Sequence, residues 1–143
     1  MNYELKREII LDNYQNPCNK CTINDPSFIK VNTKSDSCID NINLFVKIED
    51  NIIKDMYFDG EACAITTSAS SIMIRNLIGK DLDYVENVIN NYNNMILNKE
   101  YDKELLGELN VYDETYKQSN RIKCALFPFD TLSKAIKEYK EGK

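Results

Sequence analysis

Cysteine is the residue type in this sequence that offers the most chemistry, because histidine is absent. The chain contains five cysteines and no histidine. The cysteines are Cys18, Cys21, Cys38, Cys63 and Cys124. The lack of histidine excludes Ser-His-Asp and Cys-His nucleophile schemes and every zinc site that uses an imidazole ligand. Cys, Asp, Glu, Lys, Arg and Tyr are left to perform any chemistry.

The stretch around Cys63 carries the clearest local signal. Residues 59–65 have the sequence Asp-Gly-Glu-Ala-Cys-Ala-Ile, which is typical of a strand end, a glycine turn and a cysteine at the start of a helix. A thiol there faces unpaired N–H groups and the positive end of the helix, which favour its thiolate form. Thiolates bind metals and attack sulfur, so this stretch is a candidate reactive centre.

Three cysteines and one aspartate form the candidate site. Cys38 and Asp40 are two positions apart, so in an extended stretch their side chains point the same way. Cys63 is predicted to open one helix and Cys124 to open the last one. Three thiolates and one carboxylate make a complete tetrahedral ligand set for zinc. From spacing alone, the alternative of small, buried, hydrophobic cysteines stays open.

Composition limits the class of protein. A length of 143 residues predicts a single domain over 1–143. The odd cysteine count and the absence of a signal-peptide pattern favour a reducing, cytoplasmic compartment. There is no run of 18 or more apolar residues, so no membrane span is expected. A formal net charge of −5 with dispersed Lys and Arg argues against nucleic acid as a partner.

Hydrophobic periodicity predicts an α+β fold, with a small antiparallel sheet of about three strands packed against helices on one face. Helices are predicted over 3–14, 64–77 and 81–97, and from Cys124 onward with Pro128 in the first turn. Strands are predicted over 28–31, 42–48 and 52–58, the last two as a hairpin closed by residues 49–51. Residues 18–27 are predicted to form a loop, and 98–120 a loop with one helical turn.

Four motifs, in chain order, resemble the NifU N-terminal/IscU superfamily of iron–sulfur assembly proteins, and within it the SufU branch. Residues 13–17 (Asn-Tyr-Gln-Asn-Pro) with 19–20 resemble the loop after the family's first helix. Residues 37–40 resemble its Cys-Gly-Asp ligand motif, with Ile39 in place of glycine. Residues 58–65 resemble its middle cysteine turn, with Ala62 in place of a second glycine. Residues 121–125 resemble the last ligand motif of SufU proteins.

Two features favour the SufU branch over IscU-type scaffolds. IscU-type scaffolds carry a histidine just before the last cysteine, whereas this chain has Lys123 there. They also have a shorter connection from the middle cysteine, whereas here 61 positions (124 − 63) separate Cys63 from Cys124.

The resemblance implies a zinc ion held by Cys38, Asp40, Cys63 and Cys124. It implies a SufS-like cysteine desulfurase as partner, with Cys38 as the sulfur acceptor and downstream iron–sulfur assembly proteins or apo-proteins as recipients. Arg121 is a candidate to assist near the last cysteine, and a plain surface arginine is the alternative. The protein would act as a zinc-dependent sulfurtransferase-type partner; the sequence leaves open whether it is an enzyme.

Two other functions stay open at this point. The first is a scaffold that builds and hands on a [2Fe–2S] cluster, with iron as the native metal, on the same thiolates. The second is a structural zinc domain that only docks partners. The motif Cys18-Asn19-Lys20-Cys21 is a further candidate for redox or metal chemistry. The family carries no ligand thiols there, so we predict a pair without a metal role in an exposed loop.

Overall fold

The computed structural model describes residues 1–35 and 39–142, so Cys38 lies outside the described residues. The α-helices are α1 (Tyr3–Gln15), α2 (Ala64–Leu77), α3 (Leu82–Ile96), α4 (Lys103–Leu106) and α5 (Ser119–Lys140). The strands are β1 (Ile29–Lys34), β2 (Asn41–Glu49) and β3 (Ile52–Glu61). The three strands form an antiparallel sheet in the order β1-β2-β3. The predicted α+β class is confirmed.

The hairpin of β2 and β3 is the centre of the sheet. Asp50 and Asn51, between the strands, have φ values of 54° and 60°. Positive φ at both central residues is typical of a type I′ turn, whose twist matches that of the flanking strands. The alternating apolar residues of β2 thereby face the helices, as the period-two pattern predicts. The strands extend beyond the predicted ends, and β3 continues to Glu61.

Helices α2 and α5 pack against the sheet, α3 packs against α5, and the three helices enclose the core with the sheet. Tyr92 of α3 stacks on Phe129 of α5 with ring centroids 4.0 Å apart. The fully buried core also includes Leu44, Val46, Met56, Phe58, Ile72, Met73 and Leu132. Each such side chain contributes about 1.5–3 kcal/mol through burial. The sheet and helices therefore provide a rigid support for the residues at the sheet's end.

The predicted start of the last helix at Cys124 is wrong. Helix α5 has completed its first turn before Cys124, and Pro128 lies in the helix interior rather than in its first turn. Proline has no N–H to bond the carbonyl four residues earlier. The carbonyls of Cys124 and Ala125 instead accept hydrogen bonds from the Thr66 and Tyr92 hydroxyls, at 3.1 and 2.8 Å. Tertiary hydrogen bonds thus allow the helix to run through the proline.

Residues 98–120 contain more helix than the predicted single turn. They hold α4 and two short 3-10 helices, Gly107–Tyr112 and Thr115–Lys117, and α5 has already begun at their end. Among the residues that the structure describes, no helix is both long and apolar enough to cross a membrane.

Candidate metal centre

The pairing of β2 with β3 brings Asp40 next to Cys63. Asn41, at the start of β2, pairs with Glu61, at the end of β3. The residues just beyond these two positions therefore meet at the same end of the sheet. Asp40 is 1% exposed, and its Oδ1 accepts a hydrogen bond of 2.8 Å from the backbone N–H of Cys63. The close approach uses Gly60, whose φ is 112°.

Cys63 is the N-cap of α2, as the sequence predicts. Its backbone is extended, with φ −68° and ψ 170°, and its sulfur accepts the N–H of Thr66 at 3.5 Å. The helix N-terminus attracts negative charge to this position. Cys63 Sγ also lies 3.9 Å from Asp40 Oδ2. The Asp40 carboxylate and the Cys63 sulfur, which are both anionic when they bind a metal, are therefore adjacent. This arrangement suits a bound cation.

Cys124 reaches the same place from α5, which packs against α2. The contact point is Thr66, whose hydroxyl lies 3.1 Å from the Cys124 carbonyl oxygen and 2.7 Å from Asp40 Oδ2. The Cys124 side chain is half-buried. The helix therefore presents the last of the predicted ligands at the end of the sheet where Asp40 and Cys63 lie.

Asp40, Cys63 and Cys124 each offer one ligand atom, and these atoms all lie within 4.8 Å of one another. In a tetrahedral zinc site the ligand atoms are about 3.5–4 Å apart, so two sulfurs and one carboxylate oxygen fit such a site with small adjustments. Within residues 1–35 and 39–142 this is the one such cluster of three. The predicted fourth ligand, Cys38, lies outside the described residues and stays a prediction.

The two basic residues near Cys124 are exposed. Arg121 lies one turn before Cys124 on α5 and borders a groove that Tyr3 and Arg7 of α1 also line. Among the ion pairs of the described residues, none involves Arg121 or Lys123. Both cations thus face solvent close to Cys124 in the sequence of α5.

The buried phenols near the site do not supply a base or a ligand. Burial raises the pKa of Tyr112 well above its usual value, and burial likewise raises the pKa of Tyr92. The Tyr112 hydroxyl lies 2.6 Å from Ser68 Oγ, and the Tyr92 hydroxyl donates to the Ala125 carbonyl. Both side chains are neutral at physiological pH and serve packing and hydrogen bonding.

The Cys18–Cys21 pair is attached to the sheet rather than lying in a plain loop. The Cys21 N–H donates to the Phe58 carbonyl at 2.9 Å, and the Phe58 N–H donates to the Asn19 carbonyl at 3.1 Å. Cys18 is half-buried and Cys21 is exposed. Neither belongs to the cluster of potential metal ligands around Asp40.

Replacing both Cys18 and Cys21 with serine is expected to leave metal content unchanged. The reason is that these thiols lie outside the cluster, while serine keeps their size and the backbone bonds of the segment. The measurement is zinc per chain of the double variant, purified without oxygen beside the unaltered protein. A loss of zinc in the double variant would assign the pair a metal role after all.

Thr66 is the site residue that sequence reasoning missed. Its signals are present in hindsight: a hydroxyl in the first turn of a helix that a cysteine caps, and a Cys124–Pro128 spacing of four that frees a carbonyl. Neither signal says which elements meet. Only the packing of α2 against α5 shows that the Thr66 hydroxyl reaches that carbonyl.

Comparison with known proteins extends these observations. Residues 5–143 match the family model of the NifU-like N terminal domain. The chain is 32% identical over 139 residues to the zinc-dependent sulfurtransferase SufU of Bacillus subtilis, covering 96% of this chain and 93% of that protein. It is 29% identical over 105 residues to the iron–sulfur cluster assembly scaffold protein IscU of Thermotoga maritima, covering 73% of this chain and 74% of that one.

A solved structure shows the same fold. It is described as an iron–sulfur cluster assembly scaffold protein for the SUF system of Fervidobacterium islandicum AW-1. The two chains superpose with a TM-score of 0.79 at 30% sequence identity, over 90% of this chain and 93% of that one.

Proposed function

The chain belongs to the NifU-like N-terminal domain family, and on that premise we propose that it is a zinc-bound sulfur acceptor in iron–sulfur cluster assembly. The zinc ligands would be Cys38, Asp40, Cys63 and Cys124. The sulfur would come from a SufS-like cysteine desulfurase and be taken up on Cys38. The observation that carries the proposal is the convergence of three of these four ligand atoms within 4.8 Å.

The donor set supports zinc. Zinc accepts thiolate and carboxylate ligands in one tetrahedral site, and the described cluster offers two of the former and one of the latter. Cys38 precedes Asp40 by two positions, and two residues of chain span at most about 7 Å. This short tether supports a place for the fourth ligand beside the other three.

Zinc would hold the ligating thiols in the deprotonated state and shield them from oxidation. The chain's own residues divide the structural and the reactive parts between them. Buried Asp40 and the α2 N-cap Cys63 are fixed by hydrogen bonds, so they are suited to a structural part of the ligand set. Cys38 is the ligand that we assign to the reaction.

The transfer step is a thiol exchange. The Cys38 thiolate attacks the terminal sulfur of the persulfide that the desulfurase carries. A new sulfur–sulfur bond forms on Cys38, the sulfur–sulfur bond on the desulfurase breaks, and the desulfurase cysteine leaves as a thiolate. The terminal sulfur keeps its proton and moves as one unit, so the step requires no external oxidant or reductant.

Arg121 is assigned to partner binding. Its side chain is exposed, is in none of the ion pairs among the described residues, and borders the groove that Tyr3 and Arg7 also line. A guanidinium in this place is suited to an anionic group on a docking protein or to the persulfide itself.

The thiolate ligands of the proposed zinc site also fit a cytoplasmic setting, where free thiolates persist. Recipients would be downstream iron–sulfur assembly proteins or apo-proteins.

The second candidate function is a scaffold for a [2Fe–2S] cluster on the same ligands. It is favoured by the similarity to an IscU scaffold protein and by the thiolate content of the site, since such clusters are held by cysteine. A Lys123 in place of a histidine supports the zinc form instead, by resemblance to the SufU branch.

The experiment that tests the proposal is a count of zinc, iron and acid-labile sulfide per chain in protein purified without oxygen. About one zinc per chain with little iron is the expected result for a four-ligand zinc site. Iron with a matching amount of sulfide would replace the proposal with the scaffold function. A Cys38→Ala variant that unfolds would instead indicate a structural zinc domain.

A further inference from the structure

The Thr66 hydroxyl contacts each of the three described residues of the proposed ligand set. It lies 2.7 Å from Asp40 Oδ2, 3.1 Å from the Cys124 carbonyl oxygen and 3.4 Å from Cys63 Sγ. These three residues come from three separate parts of the fold: the residue before β2, the N-cap of α2, and α5. Thr66 itself is fully buried at 0% exposure. One hydroxyl therefore touches every described ligand residue.

The hydroxyl carries one hydrogen and two lone pairs. The Asp40 carboxylate and the Cys124 carbonyl are both acceptors, so they share that single hydrogen. The shorter contact, to the carboxylate, is the stronger, charge-assisted one. A lone pair of the same oxygen can accept a proton from Cys63 only while Cys63 is a protonated thiol, in the absence of a metal. Thr66 therefore links the ligand residues to one another by hydrogen bonds. Its neutral hydroxyl does not replace a cysteine thiolate as a metal ligand.

The Cys124 carbonyl is available to Thr66 because of Pro128. In an unbroken helix the N–H four residues later would occupy that carbonyl, but Pro128 has none. A carbonyl in this partly buried position needs a donor, since a buried unpaired one costs about 1–3 kcal/mol. The Thr66 hydroxyl is a donor within reach. The proline in α5 and the threonine in α2 thus form a matched pair that sets the position of Cys124.

We propose that Thr66 is a positioning residue for the metal centre, which orients the Asp40 carboxylate and anchors the Cys124 backbone against Cys63. This inference rests on the proposed zinc function and deepens it. Hydrogen-bond partners of ligating groups orient those groups, and losing one weakens metal affinity by about 10–100-fold. The hydroxyl is the required feature, so serine can replace threonine and valine cannot.

The test compares Thr66→Val, Thr66→Ser and Thr67→Val with the unaltered chain. Thr67 is the matched control, because it is also buried and on the same helical turn, and within the described part of the chain its hydroxyl donates to the Ala62 carbonyl, at 3.4 Å, and to none of the ligand residues. Two readouts are used: the rate at which a chelator removes Zn²⁺, and the visible spectrum of the Co²⁺-loaded protein, which reports ligand geometry.

Thr66→Val is expected to lose Zn²⁺ about 10–100-fold faster and to show a displaced Co²⁺ spectrum. Thr66→Ser and Thr67→Val are expected to match the unaltered chain in both readouts. If Thr66→Val does not fold, Thr66→Ala takes its place with the same expectation.

A folded variant without the hydroxyl that behaves like the unaltered chain would overturn the inference, as would a Thr66→Ser variant that is as defective as Thr66→Val. An unaltered chain that binds neither metal would overturn the zinc function as well, which keeps the two failures distinct.

Discussion

Asp40→Ala is expected to speed the loss of zinc to a chelator by about 100-fold or more, at or above the upper end of the effect of losing an outer hydrogen-bond partner. The change removes a ligand, and it also leaves the Cys63 N–H and the Thr66 hydroxyl without their carboxylate acceptor. Asp40→Asn keeps the shape and removes the charge, so its loss of zinc is expected to be smaller but still clear.

The matched control is Asp59→Ala on β3. Asp59 is also a partly buried carboxylate near the end of the sheet, and it accepts hydrogen bonds from Asn43 and Thr22. It lies outside the metal cluster, so its removal is expected to leave the chelation rate unchanged. Unchanged zinc retention in both Asp40 variants would remove Asp40 from the ligand set. Circular dichroism of each variant shows whether the fold is kept.

Gly60→Ala is expected to cost more stability than the same change at Gly79, Gly107 or Gly142. The φ of Gly60 is 112°, where an L-residue is strained by about 1–3 kcal/mol. A Cβ there would also overlap the backbone carbonyl oxygen of Asn41. An alanine at position 60 would therefore force β2 and β3 apart at the point where Asp40 meets Cys63. We expect a loss of roughly 3 kcal/mol or more in the free energy of unfolding, because the overlap adds to the strain.

Gly79→Ala provides the control that separates the two causes. Gly79 also has a positive φ, 87°, but in the described structure no atom lies within 4 Å of an added Cβ. It therefore carries the backbone strain alone, and a loss of about 1–2 kcal/mol is expected. Urea unfolding of both variants measures the difference. Equal losses at the two positions would contradict the view that Gly60 holds the two strands close beneath the metal centre.

The placement of the site was predictable from the sequence where local patterns determine it. The alternation of Ile42, Leu44 and Val46 predicts β2, and the turn at Asp50 and Asn51 predicts its pairing with β3. Once that pairing is known, the residues just past the strand ends have to meet. The N-cap position of Cys63 likewise follows from the glycine turn before it.

What the sequence could not provide is the position of Cys124. The prediction began the last helix at Cys124 and put Pro128 in its first turn, where a proline is tolerated, because an interior proline normally ends or bends a helix. The helix continues because donors from other elements, Thr66 and Tyr92, satisfy the carbonyls around the proline. Those donors are 58 and 33 positions away in the chain. Such long-range hydrogen bonds have no signature in a local window of sequence.

The most direct test of the central claim is to locate the transferred sulfur. The zinc-loaded chain is incubated without oxygen with a cysteine desulfurase and cysteine, then alkylated and analysed as peptides by mass spectrometry. We expect the peptide that contains Cys38 to carry one additional sulfur atom, a Cys38→Ser variant to carry none, and a Cys21→Ser variant to match the unaltered chain. Sulfur found on another cysteine, or uptake by Cys38→Ser equal to that of the unaltered chain, would contradict the assignment of Cys38 as the acceptor.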